Sequence, residues 1–286
     1  MTDPTPSRPL GLIAGSGAMP QRVANAAVAA GRSVFIVGLE GFADPAQLAP
    51  FPHTFARIGA AGRIKDLLRA HHCQDLVLIG GVRRPSVFEM RPDAEGMKIL
   101  ARIGKAAFAG DDGLLAAIVR VLGDEGFRVL GAQDILREAT APLGLLSKAA
   151  PDSQAMADIA RGVAVARALG SVDVGQGCVV QQGFVLAVEA VEGTDAMLAR
   201  CGPLARAAPG GVLVKLAKPG QERRADLPTI GAATVAAAAA AGLRGIAFEA
   251  GGALIADRAA TLALADETGL FVIGLDPATL PHGDKP

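Results

Sequence analysis

The chain alternates short apolar runs with stretches of helical period, and that alternation restricts its fold more than any other feature. Leu10-Gly-Leu-Ile-Ala14 is apolar and stops at Gly15-Ser-Gly17. A helical pattern follows over 19–30, with Pro20 in the first turn, where its missing N–H is no loss, and Gly31 at the end. A second strand pattern lies at 33–37, then a helix over 63–70, a strand at 75–79, a helix over 111–122 and an edge strand at 128–130. Parallel strands need a crossover between them, so strands alternating with helices imply a mainly parallel sheet covered on both faces. The first half is therefore expected to be a Rossmann-like α/β domain.

Around 135–151 the pattern weakens, interrupted by Pro142, Gly144 and Pro151. The boundary is placed there, giving an N-terminal domain over 1–137 and a C-terminal α/β domain over 138–286 that carries Asp226. Residues 138–169 are expected to be a linker and a connecting helix. In the second half, strands at 178–180, 184–189, 212–215, 245–248 and 271–274 alternate with helices over 195–207, 229–241 and 257–267. Two domains is also the expectation for a chain of 286 residues.

Composition removes several classes of function. The 28 basic and 28 acidic residues cancel, and the chain has no Trp, no Tyr and only 10 Phe. It therefore has neither the field nor the aromatic platforms of a nucleic-acid binder. Cys73, Cys178 and Cys201 form no C-x-x-C pair and no disulfide ladder, which fits a reducing cytosol. The polar, proline-rich start is unlike a signal peptide, and no stretch approaches the roughly 18–20 apolar residues of a membrane span. The expected location is cytoplasmic. Its four histidines, His53, His71, His72 and His282, show no H-x-x-x-H or D-x-H spacing, so a His-rich dinuclear centre has no ligands. A G-x-x-x-x-G-K-[ST] phosphate loop is also absent.

Five segments could carry chemistry. Gly15, Ser16 and Gly17 lie between a strand and a helix, where glycines admit close backbone approach and free helix N–H groups favour phosphate. A dinucleotide fingerprint would need glycine at position 20, which is Pro20; a bare tight turn is the alternative. Ile79-Gly-Gly-Val-Arg-Arg-Pro85 sits at a strand's carboxyl end, where Gly81 and Arg83 suit a diphosphate or a sugar, or form a solvated loop. Asp111 and Asp112 open a helix and either complement its dipole or hold Mg²⁺ or a sugar hydroxyl. The fourth segment spans Gln176, Gln181, Gln182, Glu189, Glu192, Thr194 and Asp195. An acid such as Glu189 in an apolar strand needs a partner or a task, whereas Asp195 suits a helix start. The fifth joins Lys215, Lys218, Arg223, Arg224, Asp226 and Thr229, cations beside an acid, as phosphoryl chemistry requires or as surface ion pairs provide.

Taken in order, Gly11-Leu-Ile-Ala-Gly-Ser-Gly17, Ile79-Gly-Gly-Val82, Gly110-Asp-Asp-Gly113, Val188-Glu-Ala-Val-Glu-Gly-Thr-Asp195 and Arg224-Ala-Asp-Leu-Pro-Thr-Ile-Gly231 resemble the LpxI-type UDP-2,3-diacylglucosamine pyrophosphatases of lipid A biosynthesis. The resemblance runs from about residue 10 to 276, and the ordered set is far more specific than any one glycine motif. It implies Mg²⁺-dependent hydrolysis of UDP-2,3-diacylglucosamine to UMP and 2,3-diacylglucosamine 1-phosphate (lipid X), with water directed at the phosphorus on the sugar side. It also implies a two-domain homodimer that holds its lipid between the domains. Because that substrate is an amphiphile, transient contact with the cytosolic face of the inner membrane is expected, although no basic amphipathic helix marks a docking surface. The family's essential aspartate falls on Asp226. The other roles are assigned by chemistry. Asp226 and Asp111 are candidates for the metal, and Asp226 for activating water. Lys215 and Arg223 are candidates for neutralising developing charge. Gly15, Ser16, Gly17, Gly81, Arg83, Asp112, Gln176, Glu189, Thr194, Lys218, Arg224 and Thr229 are candidates for binding substrate.

Overall fold

The structure, a computed structural model, describes residues 8–83, 87–104, 111–207 and 209–280; the side chains of residues 87, 88, 111 and 112 also fall outside that description. The chain divides into two compact units, one of residues 1–137 with 222–226, the other of residues 138–221 with 227–286.

Among the described residues the first unit holds five strands: β1 (Leu10–Ala14), β2 (Val34–Leu39), β3 (His53–Ala56), β4 (Asp75–Ile79) and β5 (Arg128–Leu130). Their order is β3-β2-β1-β4-β5 and every pairing is parallel. β1 is central, with Leu10 in register with both Val34 and Asp75. The chain builds outward from β1 through β2 to β3 and then crosses to β4. The carboxyl ends of β1 and β4 therefore flank the point where strand order reverses, the place at which open α/β sheets bind ligands. Helices Met19–Ala29, Ala61–Ala70 and Asp111–Asp124 form the crossovers. One core cluster of this unit packs Phe35, Val37, Leu68, Leu76, Val119 and Val129. Each such side chain contributes roughly 1.5–3 kcal/mol on burial. The strand at 53–56 was missed by pattern because it is short and only its last residue is buried.

At the opposite, amino end of β4, Asp75 is buried and receives two hydrogen bonds from Arg128 (2.8 and 2.7 Å) and one from Arg32 (2.8 Å). Burial alone would push this carboxyl up, but the two guanidinium groups outweigh it and hold it below the usual carboxylate range.

The second unit has a six-stranded sheet of β6 (Gly144–Leu145), β7 (Gly177–Gln181), β8 (Phe184–Val188), β9 (Val212–Lys215), β11 (Gly245–Glu249) and β13 (Phe271–Leu275). Its order is β6-β13-β11-β9-β7-β8, parallel through β13-β11-β9 and antiparallel at both flanks. A separate parallel pair joins β10 (Thr229–Ile230) to β12 (Leu254–Ile255). The β7–β8 hairpin turns at Gln182 and Gly183, both at positive φ (52° and 79°), as a type I′ turn demands. The buried Asp158 carboxylate accepts from both turn N–H groups, at 3.0 and 2.7 Å.

Three elements differ from the sequence expectation. The short helix Ala132–Ile135 lies between the two sheets along the chain, while Ser153–Ser171, expected as a connector, packs on β7 and β9. The helix expected over 195–207 is Gly193–Ala199 followed by a 3₁₀ turn at Gly202–Leu204, because Gly202-Pro203 cannot continue it. The helix expected from 229 begins at Ala232: Pro228 biases its neighbourhood to extended backbone, and the β-branched Thr229-Ile230 pair with β12.

Candidate active site

In the first unit the loops after β1 and β4 are stitched together. Gly15 N donates to the Ile79 carbonyl (2.9 Å), Ser16 N to the Gly81 carbonyl (2.9 Å) and Gly81 N to the Ser16 carbonyl (3.0 Å). The Ser16 hydroxyl also donates to the Gly81 carbonyl, at 3.0 Å. The approach is so close that a Cβ on Gly15 would stand 2.5 Å from the Gly81 oxygen, which only glycine avoids. Above this floor, Ser16, Gly17, Gly81, Val82 and Arg83 are exposed. The helix Met19–Ala29 opens here with Pro20 in its first turn and no side chain capping it. Its first-turn N–H groups suit an anion. The structure thus brings together Gly15, Ser16, Gly17, Gly81 and Arg83.

The segment 222–226 groups with this first unit, although the chain reaches it from the second sheet. It is a tight turn in which Ala225 N and Asp226 N both donate to the Glu222 carbonyl, at 2.9 and 3.0 Å. Ala225 packs on the first unit's core, and Gln133 Nε2 donates to the Arg223 carbonyl at 3.2 Å. Arg224 forms a bidentate pair with the Glu222 carboxylate, both bonds at 2.7 Å. Those bonds hold the Glu222 carboxyl below the usual range and raise Arg224 further. Asp226 is half-buried, and Arg223 is exposed.

In the second unit the candidates gather where β9 ends. Lys215, the last residue of β9, lies opposite Gly177 of β7, and Glu189 directly follows β8. Lys215 and Glu189 are only 4% and 6% exposed. Thr194 donates its hydroxyl to Glu189 Oε1 (2.8 Å), Lys215 Nζ donates to Thr194 Oγ1, and Lys215 and Glu189 form an ion pair at 3.8 Å. Beside them Lys218 Nζ donates to Asp173 (2.6 Å), Gln221 Nε2 to Gln176 Oε1 (3.4 Å) and Ala217 N to Glu249 (3.1 Å). A cleft of about 300 Å³ is lined by Glu192, Thr194, Asp195, Thr229 and Thr234, uniting two of the expected substrate residues.

Sequence reasoning overlooked Asp173, Gln221, Glu222 and Glu249. Glu249 ends an apolar strand, so the argument that singled out Glu189 would have found it. Gln181 and Gln182 turn out to serve the fold. The Gln181 amide shares its two N–H protons among the carbonyls of Arg206 (3.1 Å), Ala207 (3.3 Å) and Pro209 (2.8 Å), and Gln182 shapes the hairpin turn. The side chains of Asp111 and Asp112 lie outside the described residues. Among the described residues no group of three or more His, Cys, Asp or Glu side chains could by itself hold a metal ion. Nor is any helix among them long and apolar enough to cross a membrane.

Fold and site define a protein of two α/β units, each presenting its polar candidates where parallel strands end. The family model described as the LpxI N-terminal domain matches residues 9–139, and that described as the LpxI C-terminal domain matches residues 142–273. A protein of Caulobacter vibrioides named UDP-2,3-diacylglucosamine pyrophosphatase LpxI is 48% identical over 280 residues, covering 96% of this chain and 100% of that protein. The chain belongs to the LpxI family.

Proposed function

We propose that the chain hydrolyses the diphosphate of UDP-2,3-diacylglucosamine to UMP and 2,3-diacylglucosamine 1-phosphate, a step of lipid A biosynthesis. The observation that carries this reading is the 48% identity to a pyrophosphatase of that name across its whole length. The geometry supports it. Backbone N–H groups at a strand-order switch suit a diphosphate, and an aspartate within a cation-bearing turn suits water activation.

In this reading Asp226 takes the proton from the attacking water or orients it, and Lys215 and Arg223 offset the charge that grows on the diphosphate. Gly15, Ser16 and Gly81, whose own protons are spent between the two loops, shape the floor of the site, and phosphate oxygens meet Gly17, Arg83 and the first-turn N–H groups of the helix Met19–Ala29. Gln176, Lys218, Arg224 and Thr229, with Asp112, shape the remaining contacts, and Glu189 and Thr194 bear on the substrate through Lys215. Mg²⁺ is a proposed cofactor, and the donor set is compatible with it. This ion keeps several waters and uses one or two carboxylates together with substrate phosphates, so it needs no preformed cage. Asp226 and Asp111 would hold it. When bound, it supplies Lewis-acid polarisation of the phosphoryl oxygens. The protein is further proposed to act as a homodimer in the cytoplasm, touching the inner-membrane surface transiently to reach its amphiphilic substrate.

The test is to incubate purified protein with UDP-2,3-diacylglucosamine and Mg²⁺ and to assay for UMP. Release of UMP together with lipid X supports the proposal. Binding of substrate without product under any divalent ion would sink it.

A further inference from the structure

The proton inventory of Glu189, Thr194 and Lys215 permits a single arrangement. Thr194 has one hydroxyl proton, and an ammonium cannot accept it, so it goes to Glu189 Oε1 at 2.8 Å while the hydroxyl oxygen accepts from Lys215. The hydrogen bonds run one way, from ammonium to hydroxyl to carboxylate. Both charged ends are more than nine-tenths buried.

Stability alone does not account for this trio. Burying two charges carries a desolvation cost that their attraction often fails to recover, and apolar residues of similar volume commonly serve a core as well. The carboxylate is also incompletely satisfied. Its Oε2 is buried and has no partner among the described residues, and a Cβ at position 177 would stand 2.6 Å from it. What the arrangement does provide is a fixed cation. Lys215 would otherwise swing on a flexible four-carbon stem, but its Nζ is tied to a hydroxyl that is itself tied to a carboxylate. The tie sits at the carboxyl end of β9, beside the cleft that Thr194 helps to line.

We infer that Glu189 and Thr194 are positioning residues that hold the Lys215 ammonium in place for the charge that develops during diphosphate cleavage. Gly177 is glycine so that the Glu189 carboxylate has room. What Lys215 acts on rests on the hydrolase reading above; the hydrogen-bonded chain does not.

The experiment measures kcat, KM and Tm for wild type, Thr194→Val, Thr194→Ser, Gly177→Ala and the combined Glu189→Leu, Thr194→Val, Lys215→Met variant. Thr194→Val removes both hydrogen bonds of the chain, and the charge-assisted bond lost by the ammonium predicts a kcat about 10–100-fold lower with KM within about twofold. Thr194→Ser, which restores the hydroxyl, returns kcat to within about threefold of wild type. Gly177→Ala lowers kcat in the same way, although it removes none of the three polar groups. The combined variant loses turnover yet keeps or raises Tm, a divergence that a merely structural trio would not show. Wild-type kcat in Thr194→Val, or a combined variant whose Tm drops in step with its activity, overturns the inference. If wild-type protein itself releases no UMP, the hydrolase reading is what fails. The positioning is then decided by NMR of lysine-¹⁵N-labelled protein. Slow exchange of the Lys215 ammonium protons in wild type and fast exchange in Thr194→Val supports it, and equal exchange overturns it.

Discussion

The carboxyl ends of the parallel strands in the two sheets present their polar groups in opposite ways. In the first unit the loops after β1 and β4 offer main chain, with glycines at 15, 17, 80 and 81 and the opening of a helix that no side chain caps. In the second unit the end of β9 offers side chains, an ammonium, a hydroxyl and a carboxylate packed out of water. Backbone donors are rigid without further support, so the first site needs only space around them. A lysine is mobile, so the second needs a scaffold of its own. Turn 222–226, which groups with the first unit, mixes both strategies, since backbone bonds to the Glu222 carbonyl set the turn while Arg224 is fixed through a side-chain pair.

The sharpest way to break the comparison is at that turn. Asp226→Ala is expected to lower kcat by about a thousandfold, the scale of a lost general base, with CD spectrum, Tm and substrate binding retained. Near wild-type UMP release from the variant would remove Asp226 from the chemistry.

Next in size is a change at the amino end of the first sheet, far along β4 from the glycine loops. Asp75 is held below the ordinary carboxylate value by Arg128 and Arg32, so folding gains from its ionised form above the unfolded pKa near 4. That gain is lost as pH falls through the lower, folded value. Asp75→Asn should therefore cost about 3 kcal/mol at neutral pH and flatten the fall of Tm below pH ~4, with kcat unchanged. An acid limb identical to wild type would show that another carboxylate governs it.

A smaller effect is expected in the glycine loop. Gly15→Ala pushes a Cβ against the Gly81 carbonyl, at 2.5 Å in the present geometry, and must part the two loops. We expect KM to rise about tenfold, roughly 1.4 kcal/mol, with kcat less affected. The contrast with Thr194→Val, where kcat carries the loss, is the comparison in kinetic form.

Much of this architecture is legible in the sequence because one signal repeats. Each of β1, β2 and β4 is an apolar run closed by a break, and the glycines at the ends of β1 and β4 lie where ligands bind such sheets. The signal fails where an element is too short to show a period, as in two-residue β6, β10 and β12, which exist only through partners far along the chain. It fails again at 222–226. The only apolar anchor of that turn is the half-buried Ala225, and nothing local says which core will receive it. It also left Gln181 and Gln182 without a role, because a glutamine that pins a loop and one that binds a ligand look alike until their acceptors are known.

The smallest expected effect tests whether the turn's own ion pair merely decorates the surface. The Arg224 side chain is 50% exposed and that of Glu222 13% exposed, so the pair contributes at most about 0.5–1 kcal/mol to stability. Its value lies instead in geometry, because two parallel bonds fix the plane of the guanidinium two residues from Asp226. Glu222→Gln keeps one acceptor and loses the charge. It should leave Tm within about 1 °C and lower kcat/KM about two- to fivefold, with the deficit shrinking at high salt, where the wild-type pair is itself screened. Because Arg224 holds the Glu222 carboxyl below its ordinary value, the pair stays intact from neutral pH down past pH ~4, and the variant should run parallel to wild type between pH 5 and 8. A deficit that grows with pH inside that window would assign the effect to another group. No deficit at any salt concentration would leave Arg224 positioned by the backbone turn alone, placing this segment with the glycine loops rather than with the end of β9.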